Sequence, residues 1–335
     1  MIEADCVKVP LRLAEEAIKA LRQQGLLAKA RPRRSESELR IPVVDIADAL
    51  KALSTRGLTA EPCRDFFEEG RSSAIPPEVG LSGFVKMGNI VMFSHARGQP
   101  FDAYVRAAEA VTKVYRDVES VFLKVGTVGE LRLPQLVLLY GSGNTVTKVK
   151  ENGLLFLVDV AKTYFNPKLA TERLRVANDV SQGESVLDMF AGVGPFSITI
   201  AARSYVDVLS VDINPYAAYL AARNVELNRR KLKGRVQVLL ADSSRLVDII
   251  DGEFDRIIMN NPTSVLDFMG VACSLASKGA KLHVYVLSPS VKEAAEVTLM
   301  TAKRFCHEVK VMRAGRALEY SPSRSIYSVD LVVSR

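Results

Sequence analysis

A chain of 335 residues, 48% hydrophobic and 25% charged, is too long for one ordinary core, so two or three globular domains are expected. No apolar span is long enough to cross a bilayer and the start, Met1-Ile2-Glu3-Ala4-Asp5, is acidic, which argues against a membrane protein or a secretory leader and for a cytoplasmic one. A formal net charge of +7 favours a polyanionic partner, while three histidines and four scattered cysteines (Cys6, Cys63, Cys273, Cys306) show no metal-ligand spacing. The cysteines therefore read as reduced core thiols and no metal is expected.

In chain order, Cys6 to Pro10 has the pattern of a strand, Leu11 to Gln24 of an amphipathic helix, Leu39 to Val44 of a strand and Ile46 to Leu53 of a second helix. These form a small α+β domain over 1–70, whose basic run Arg31-Pro32-Arg33-Arg34 is a phosphate-contact candidate or a solvated loop. Ser72-Ser73-Ala74-Ile75-Pro76-Pro77 breaks periodicity as a linker. A second α+β domain over 71–165 begins with a hairpin from Gly83 to His95, turning at Gly88-Asn89. A helix near Asp102 to Tyr115 follows, then strands near Leu136 to Leu139, Asn144 to Val149 and Leu154 to Asp159. From Asn166, which caps, and Pro167, which opens a helix, the third domain runs to 335.

Within it, Val186-Leu187 leads into Asp188-Met189-Phe190-Ala191-Gly192-Val193-Gly194-Pro195-Phe196, an apolar strand followed by an acid, a glycine turn and a helix start. Gly192 and Gly194 permit positive φ and close backbone approach, and Pro195 suits a first helical turn. A second apolar run, Val206 to Val211, ends in Asp212, placed as a ribose-binding acid is placed about 20 residues after a glycine turn. A third, Val236 to Leu240, ends in Ala241-Asp242, and a fourth, Phe254 to Met259, ends in Asn260-Asn261-Pro262. Any one of these polar residues alone is more often a loop cap. Four at successive strand ends mark a ligand crevice. Ser197 stands where a dinucleotide fingerprint wants glycine, and Asp188 would repel a pyrophosphate. The sulfonium and ammonium groups of S-adenosylmethionine are attracted instead. Strand and helix alternation implies a parallel sheet, and Ile326 to Val333, after Val309 to Met312, suits a reversed last strand.

The motifs and their order resemble the archaeal and eukaryotic tRNA (guanine-37-N1)-methyltransferase family over nearly the whole chain. They are Cys6-Val7-Lys8-Val9-Pro10, Gly129-Glu130-Leu131-Arg132, Asp159 to Pro167 with Tyr164-Phe165-Asn166-Pro167, Thr171-Glu172-Arg173, Asp188 to Ser197 and Asp212-Ile213-Asn214-Pro215. The resemblance implies an α/β class I methyltransferase-type fold, a mostly parallel sheet behind two smaller N-terminal α+β domains. It implies a tRNA partner, a monomer, and S-adenosylmethionine held by Tyr164, Asp188, Phe190, Gly192, Gly194, Asp212, Ile213, Asp242, Asn260 and Pro262. Lys168 and Arg173 match tRNA-facing cations, with Lys168 in place of an arginine. Asn261 stands where the family usually has leucine.

N1 of guanine carries a proton in the neutral base, so methylation needs a base, and charge that moves onto O6 needs a donor. The resemblance assigns these roles to Glu172 and Arg132, with Asn260 near the methyl. Read without it, Glu172 is a helix ion-pair partner for Arg175 three residues on, and Arg132 a strand-edge cation. Three other readings stay open: the wybutosine-pathway aminocarboxypropyl transferase, which Glu172 argues against, a tRNA-binding protein with a degenerate donor pocket, and an NAD-dependent oxidoreductase, which Asp188 and Ser197 disfavour.

Overall fold

The computed structural model describes residues 2–28, 30, 32–35, 37–67, 81, 83–96, 98–129, 131, 133–320 and 324–334. The expected linker at 72–77, Arg31, Glu130 and the expected O6 donor Arg132 lie outside the described residues. The chain divides into two compact units, Met1–Gly83 with Pro100–Arg116, and Phe84–Gln99 with Asp117–Arg335.

In the first unit, strands β1 (Ile2–Pro10), β2 (Arg33–Arg34), β3 (Glu38–Pro42) and β4 (Glu61–Phe67) form an antiparallel sheet in the order β2-β3-β1-β4. Val7, Val9 and Ile41 bury their side chains with Ala17 and Leu21 of α1 (Ala14–Gln23) and Ala49 and Leu53 of α2 (Ile46–Ser54). Asp45 starts α2 by accepting from the Asp48 amide at 2.8 Å. Helix α3 (Phe101–Val114) buries Ala103, Ala107 and Val111, a stripe at four-residue spacing. Strand β4 was not expected, because Pro62, two acids and an arginine obscure its pattern.

The cysteines correct the expectation of reduced thiols. Cys6 lies directly opposite Cys63 across the β1–β4 pairing, and the two are joined as a disulfide. Cys273 and Cys306 are joined likewise, and no described cysteine is free. Separations of 57 and 33 residues carry no spacing signature, so strand register rather than sequence brings the first pair together. The inference of a reducing compartment loses its support with them.

The second unit begins with a sheet ordered β5-β6-β7-β8, from β5 (Val85–Met87), β6 (Ile90–Ser94), β7 (Ser120–Val128) and β8 (Leu133–Gly141). The hairpin turns at Gly88-Asn89 as expected, and Thr147 donates to the Asn89 side chain at 2.5 Å, joining the turn to β9 (Val146–Glu151). Antiparallel to β9 runs β10 (Leu154–Asp159).

Beyond it lies a seven-stranded sheet of β11 (Ser185–Asp188), β12 (Asp207–Asp212), β13 (Arg235–Leu240), β14 (Phe254–Met259), β15 (Ala276–Ser288), β16 (Glu308–Glu319) and β17 (Ser325–Ser334). Its order is β13-β12-β11-β14-β15-β17-β16. The first five strands are parallel, and β17 runs antiparallel to both β15 and β16, the expected reversal. The intervening helices are α4 (Ala170–Asp179), α5 (Pro195–Arg203), α6 (Pro215–Asn228), α7 (Leu246–Ile249), α8 (Met269–Leu275) and α9 (Val291–Ala302). Strand alternation divides the core between the two faces. Leu187, Ile257 and Met259 pack with residues of α8 and α9, whereas Val186, Val208 and Ile258 pack with residues of α4 and α5.

Two asparagines extend β10 sideways. Asn224 of α6 accepts from the Leu157 amide at 2.6 Å and donates to the Leu157 and Val193 carbonyls at 3.1 and 3.0 Å. One turn on, Asn228 accepts from the Leu155 amide at 2.9 Å and donates to its carbonyl at 2.7 Å. Each amide thus supplies the donor and acceptor that a neighbouring strand would give. No described helix is long and apolar enough to cross a membrane.

Candidate active site

The carboxyl ends of β11, β12, β13 and β14 carry Asp188, Asp212, Asp242 and Asn260, as the sequence led us to expect. Between β11 and α5 the chain turns through Gly192 (φ 58°) and Gly194 (φ 82°), the second serving as the N-cap of α5 with Pro195 at its first position. A Cβ on Gly192 would lie 3.4 Å from the Tyr164 carbonyl, so the loop and the Tyr164 segment are in close backbone approach. Asp212 closes this loop onto β12, accepting from the Gly192 amide at 2.7 Å and the Asn214 amide at 2.8 Å. Burial holds its carboxyl above the usual value against those two bonds. Each oxygen keeps a second lone pair for a ribose hydroxyl.

Asp188 is fully buried. Ser197 donates to Oδ2 at 2.7 Å, while Oδ1 has no hydrogen-bond donor among the described residues. Burial pushes this carboxyl up to about 7, opposed by the Ser197 hydroxyl, assisted by the nearby charge of Asp212, and opposed more weakly by the Ser197 and Phe190 amides, neither of which makes a hydrogen bond to Oδ1. An orphaned carboxylate oxygen beside a glycine loop is a fitting counter-charge for a cationic ligand, and an unfavourable neighbour for a phosphate.

Around this centre, Ile213 is 52% exposed, and Phe190 meets Phe268 edge-on with centroids 4.9 Å apart, giving apolar surface for a base. Asp242 caps the short 3-10 turn that follows β13, accepting from the Ser244 amide at 2.8 Å. At the end of β14, Asn260 and Pro262 are half-buried, and the Pro262 carbonyl accepts from Leu287 at 3.0 Å. The Asn261 amide oxygen accepts from the Thr263 hydroxyl at 3.4 Å. Tyr164 is 58% exposed, with its hydroxyl accepting from Asn166 at 3.4 Å.

Glu172 lies on α4 and is 9% exposed. The ion pair with Arg175 is present, but it is not a surface one. Arg175 donates to both carboxylate oxygens at 2.7 and 2.9 Å, and the Tyr285 hydroxyl adds a third bond at 2.9 Å. Burial alone would raise this carboxyl. The bonds and charge of Arg175, the Tyr285 hydroxyl and the charge of Arg313 outweigh it and hold the group below its usual value. Tyr285 in turn packs against Phe196 in the first turn of α5, with centroids 5.6 Å apart, which connects Glu172 to the glycine-loop helix.

The two cations assigned to tRNA part company. Lys168 is exposed in the 3-10 turn Pro167–Leu169. Arg173 is 2% exposed, bound by both oxygens of Glu151 at 2.5 and 2.7 Å and donating to the Asn166 carbonyl at 3.0 Å. Direct phosphate contact by Arg173 gives way to a structural task, since its guanidinium is committed to holding the Asn166 turn against β9. Tyr285, His283, Asp330 and Arg256 were not anticipated around Glu172. Their signal in the sequence is faint: polar residues inside otherwise apolar strands, with His283 and Tyr285 two apart on one face of β15 and Asp330 paired opposite His283.

Fold and site together define a class I methyltransferase-type domain with a crevice for an adenosine-bearing cation. Residues 147–312 match the profile of the TRM5/TYW2 methyltransferase domain, and residues 6–51 that of the tRNA methyltransferase 5 N-terminal domain. Trm5b of Pyrococcus abyssi, a tRNA (guanine(37)-N(1))-methyltransferase, is 36% identical over 229 residues, covering 67% of this chain and 67% of that protein. Its wild-type crystal structure superposes with a TM-score of 0.69 over 99% of this chain and 100% of that one, at 30% identity. The complex of aTrm5 with tRNALeu gives 0.66 at 25% identity, over 98% and 99%. The aminocarboxypropyltransferase of Pyrococcus horikoshii that acts on 4-demethylwyosine-37 of tRNA(Phe) is 32% identical over 231 residues, 68% of this chain and 81% of that protein. The chain belongs to the TRM5/TYW2 methyltransferase family. S-Adenosylmethionine, the family's donor, suits the orphaned Asp188 oxygen, the Asp212 lone pairs and the glycine loop described above.

Proposed function

We propose that the protein methylates N1 of guanosine at tRNA position 37. The observation that carries the reading is Glu172, a mostly buried carboxylate kept ionised and held in one orientation on the helix preceding the glycine-loop strand. An ionised carboxylate of low basicity suffices here. As N1 shares its electrons with the incoming carbon its proton becomes strongly acidic, so the base need only be in place and unprotonated. Arg132 is the donor for the charge that moves onto O6.

The donor supplies an electrophilic methyl on a sulfonium. Asp212 and Ile213 orient its adenosine, Asp242 takes the adenine amino group, Asp188 faces its cationic end, and Asn260 with Pro262 lines the methyl. Lys168 meets the tRNA backbone. Domains over 1–70 and 71–165 precede the catalytic one over 166–335, in a monomer.

Mass analysis of nucleosides after incubating tRNA with the donor tests this. One methyl added to guanosine at position 37 is expected, with free guanosine a poor acceptor. An aminocarboxypropyl gain would install the wybutosine-type reading, and no gain with tight tRNA binding would leave a binding protein. Glu172→Gln should slow single-turnover methyl transfer about 100-fold or more while both substrates still bind.

A further inference from the structure

We infer that Arg175 and Tyr285 are positioning residues that fix the Glu172 carboxylate, and that Arg175 is itself anchored through Asp330 and His283 to Arg256. The inference rests on the reading of Glu172 as the base. A single planar guanidinium clamps two carboxylates: Arg175 holds Glu172 by Nε and Nη2, and Asp330 by Nη1 at 2.7 Å and Nη2 at 3.2 Å. A lysine has no such fork.

The chain of donors continues with no ambiguity of direction. Arg256 cannot accept, so in the 2.6 Å contact between its Nη1 and His283 Nε2 the histidine nitrogen accepts. The His283 proton is thereby placed on Nδ1, which donates to Asp330 Oδ1 at 2.8 Å. Burial lowers the affinity of His283 for a second proton, with the charges of Arg256 and Arg175 acting in the same sense and Asp330 opposing. Arg256 is fully buried and is fixed by Glu184 at 2.6 and 3.0 Å and by Asp179 at 2.9 Å. The order is Arg256 to His283 to Asp330, then Arg175 donating to Asp330 and to Glu172. It ties α4 to β14, β15 and β17.

One consequence is atomic. Among the described residues, Glu172 Oε1 accepts two bonds, from Tyr285 and from Arg175 Nη2, whereas Oε2 accepts one, from Arg175 Nε. Oε2 retains the lone pair that takes the N1 proton. Among the described residues, the charged and titratable groups acting on this carboxylate are Arg175 on its own helix, Tyr285 on β15 and Arg313 on β16, with Asp330 on β17 and His283 on β15 lying behind Arg175. Burial would raise Asp330, but its bonds to His283 and Arg175 bring it down to about 2, so it stays an anion and keeps Arg175 in place.

Single-turnover methyl transfer at saturating tRNA and donor, followed from about pH 4 to about pH 8, reads the ionisation of Glu172. In the unaltered protein the rate should stay flat down to about pH 4, because its acid limb lies below the ordinary carboxylate range. Arg175→Met should move that limb upward by about one pH unit or more and lower the plateau. Arg175→Lys should return the limb towards its original position without restoring the plateau, because charge comes back and the fork does not. Tyr285→Phe should move the limb the same way by a smaller amount, and decides the matter alone if Arg175→Met does not fold. An unmoved limb in the folded variants, with the rate reduced equally at every pH, overturns the inference. Glu172→Gln distinguishes this from failure of the underlying reading: full activity there removes Glu172 as the base, whatever Arg175 and Tyr285 do.

Discussion

Ser197 donates its hydroxyl to one oxygen of Asp188 at 2.7 Å, while the other oxygen of that fully buried carboxylate has no described protein donor. A group in this position is costly to ionise until a cation arrives. With the carboxyl raised to about 7 by burial and the Asp212 charge, donor affinity should increase as pH rises through about 7. Asp188→Asn should abolish that increase and weaken binding about 10- to 100-fold above it. The stability of the free protein runs the opposite way. A raised folded pKa means the folded state binds the extra proton, so this group's penalty is relieved as pH falls from above 7 towards the ordinary carboxylate range. Calorimetric titrations at several pH values measure the first effect, and a donor affinity flat across pH 7 would sink it.

Asp212 holds the glycine loop through bonds from the Gly192 and Asn214 amides, and in the proposed site the same carboxylate meets the donor ribose. Asp212→Ala should weaken donor binding by about 1–3 kcal/mol, from lost charge-assisted contacts and from release of the loop. Binding unchanged from the parent protein would take Asp212 out of the site, and stronger binding of NAD than of S-adenosylmethionine would reassign the crevice.

The parts of this fold that could be read in advance are those whose requirements are local. The Asp188 to Phe196 turn needs positive φ at Gly192 and Gly194, and only a few residue types meet that, so the sequence shows it directly. The Gly88-Asn89 hairpin and the polar ends of the central strands are legible for similar reasons. Relationships between distant residues left almost no trace. Arg175 and Asp330 are 155 positions apart, and only the β15–β17 register puts His283 opposite Asp330. Arg173 shows the same limit in reverse. The family resemblance places Arg173 among the tRNA-facing cations, but Glu151, 22 residues earlier, takes its charge into the interior. Strand β7 has no clean alternation to read, because its buried start, Ser120 to Leu123, gives way to an exposed, mixed second half.

The disulfides make a prediction about conditions. Bridges spanning separations of 57 and 33 residues should each stabilise the fold by about 3–4 kcal/mol if they act by restricting the unfolded chain. Calorimetry with and without a reductant should show a lower Tm in the reduced protein. Four thiols titrating in the non-reduced, unfolded protein would mean that the bridges do not form.

Asn224 should couple the β10 edge to the donor site, because its amide bonds both Leu157 backbone groups and the Val193 carbonyl between the two loop glycines. Asn228 makes the equivalent bonds to Leu155 but none to that loop; its remaining bond goes to the Asn224 carbonyl. The two positions therefore separate stability from ligand binding. Asn224→Ala and Asn228→Ala should each cost about 2–3 kcal/mol in unfolding free energy, since buried backbone groups of β10 lose their partners. Only Asn224→Ala should also weaken donor binding, by several-fold, as Val193 loses the bond that fixes the loop. Asn224→Asp should weaken binding further, because a carboxylate offers no donor to the Val193 and Leu157 carbonyls and repels both. Denaturant melts paired with donor titrations supply both quantities, and equal loss of donor affinity in Asn224→Ala and Asn228→Ala would show that the loop responds to general loosening of α6 rather than to the Asn224 bond.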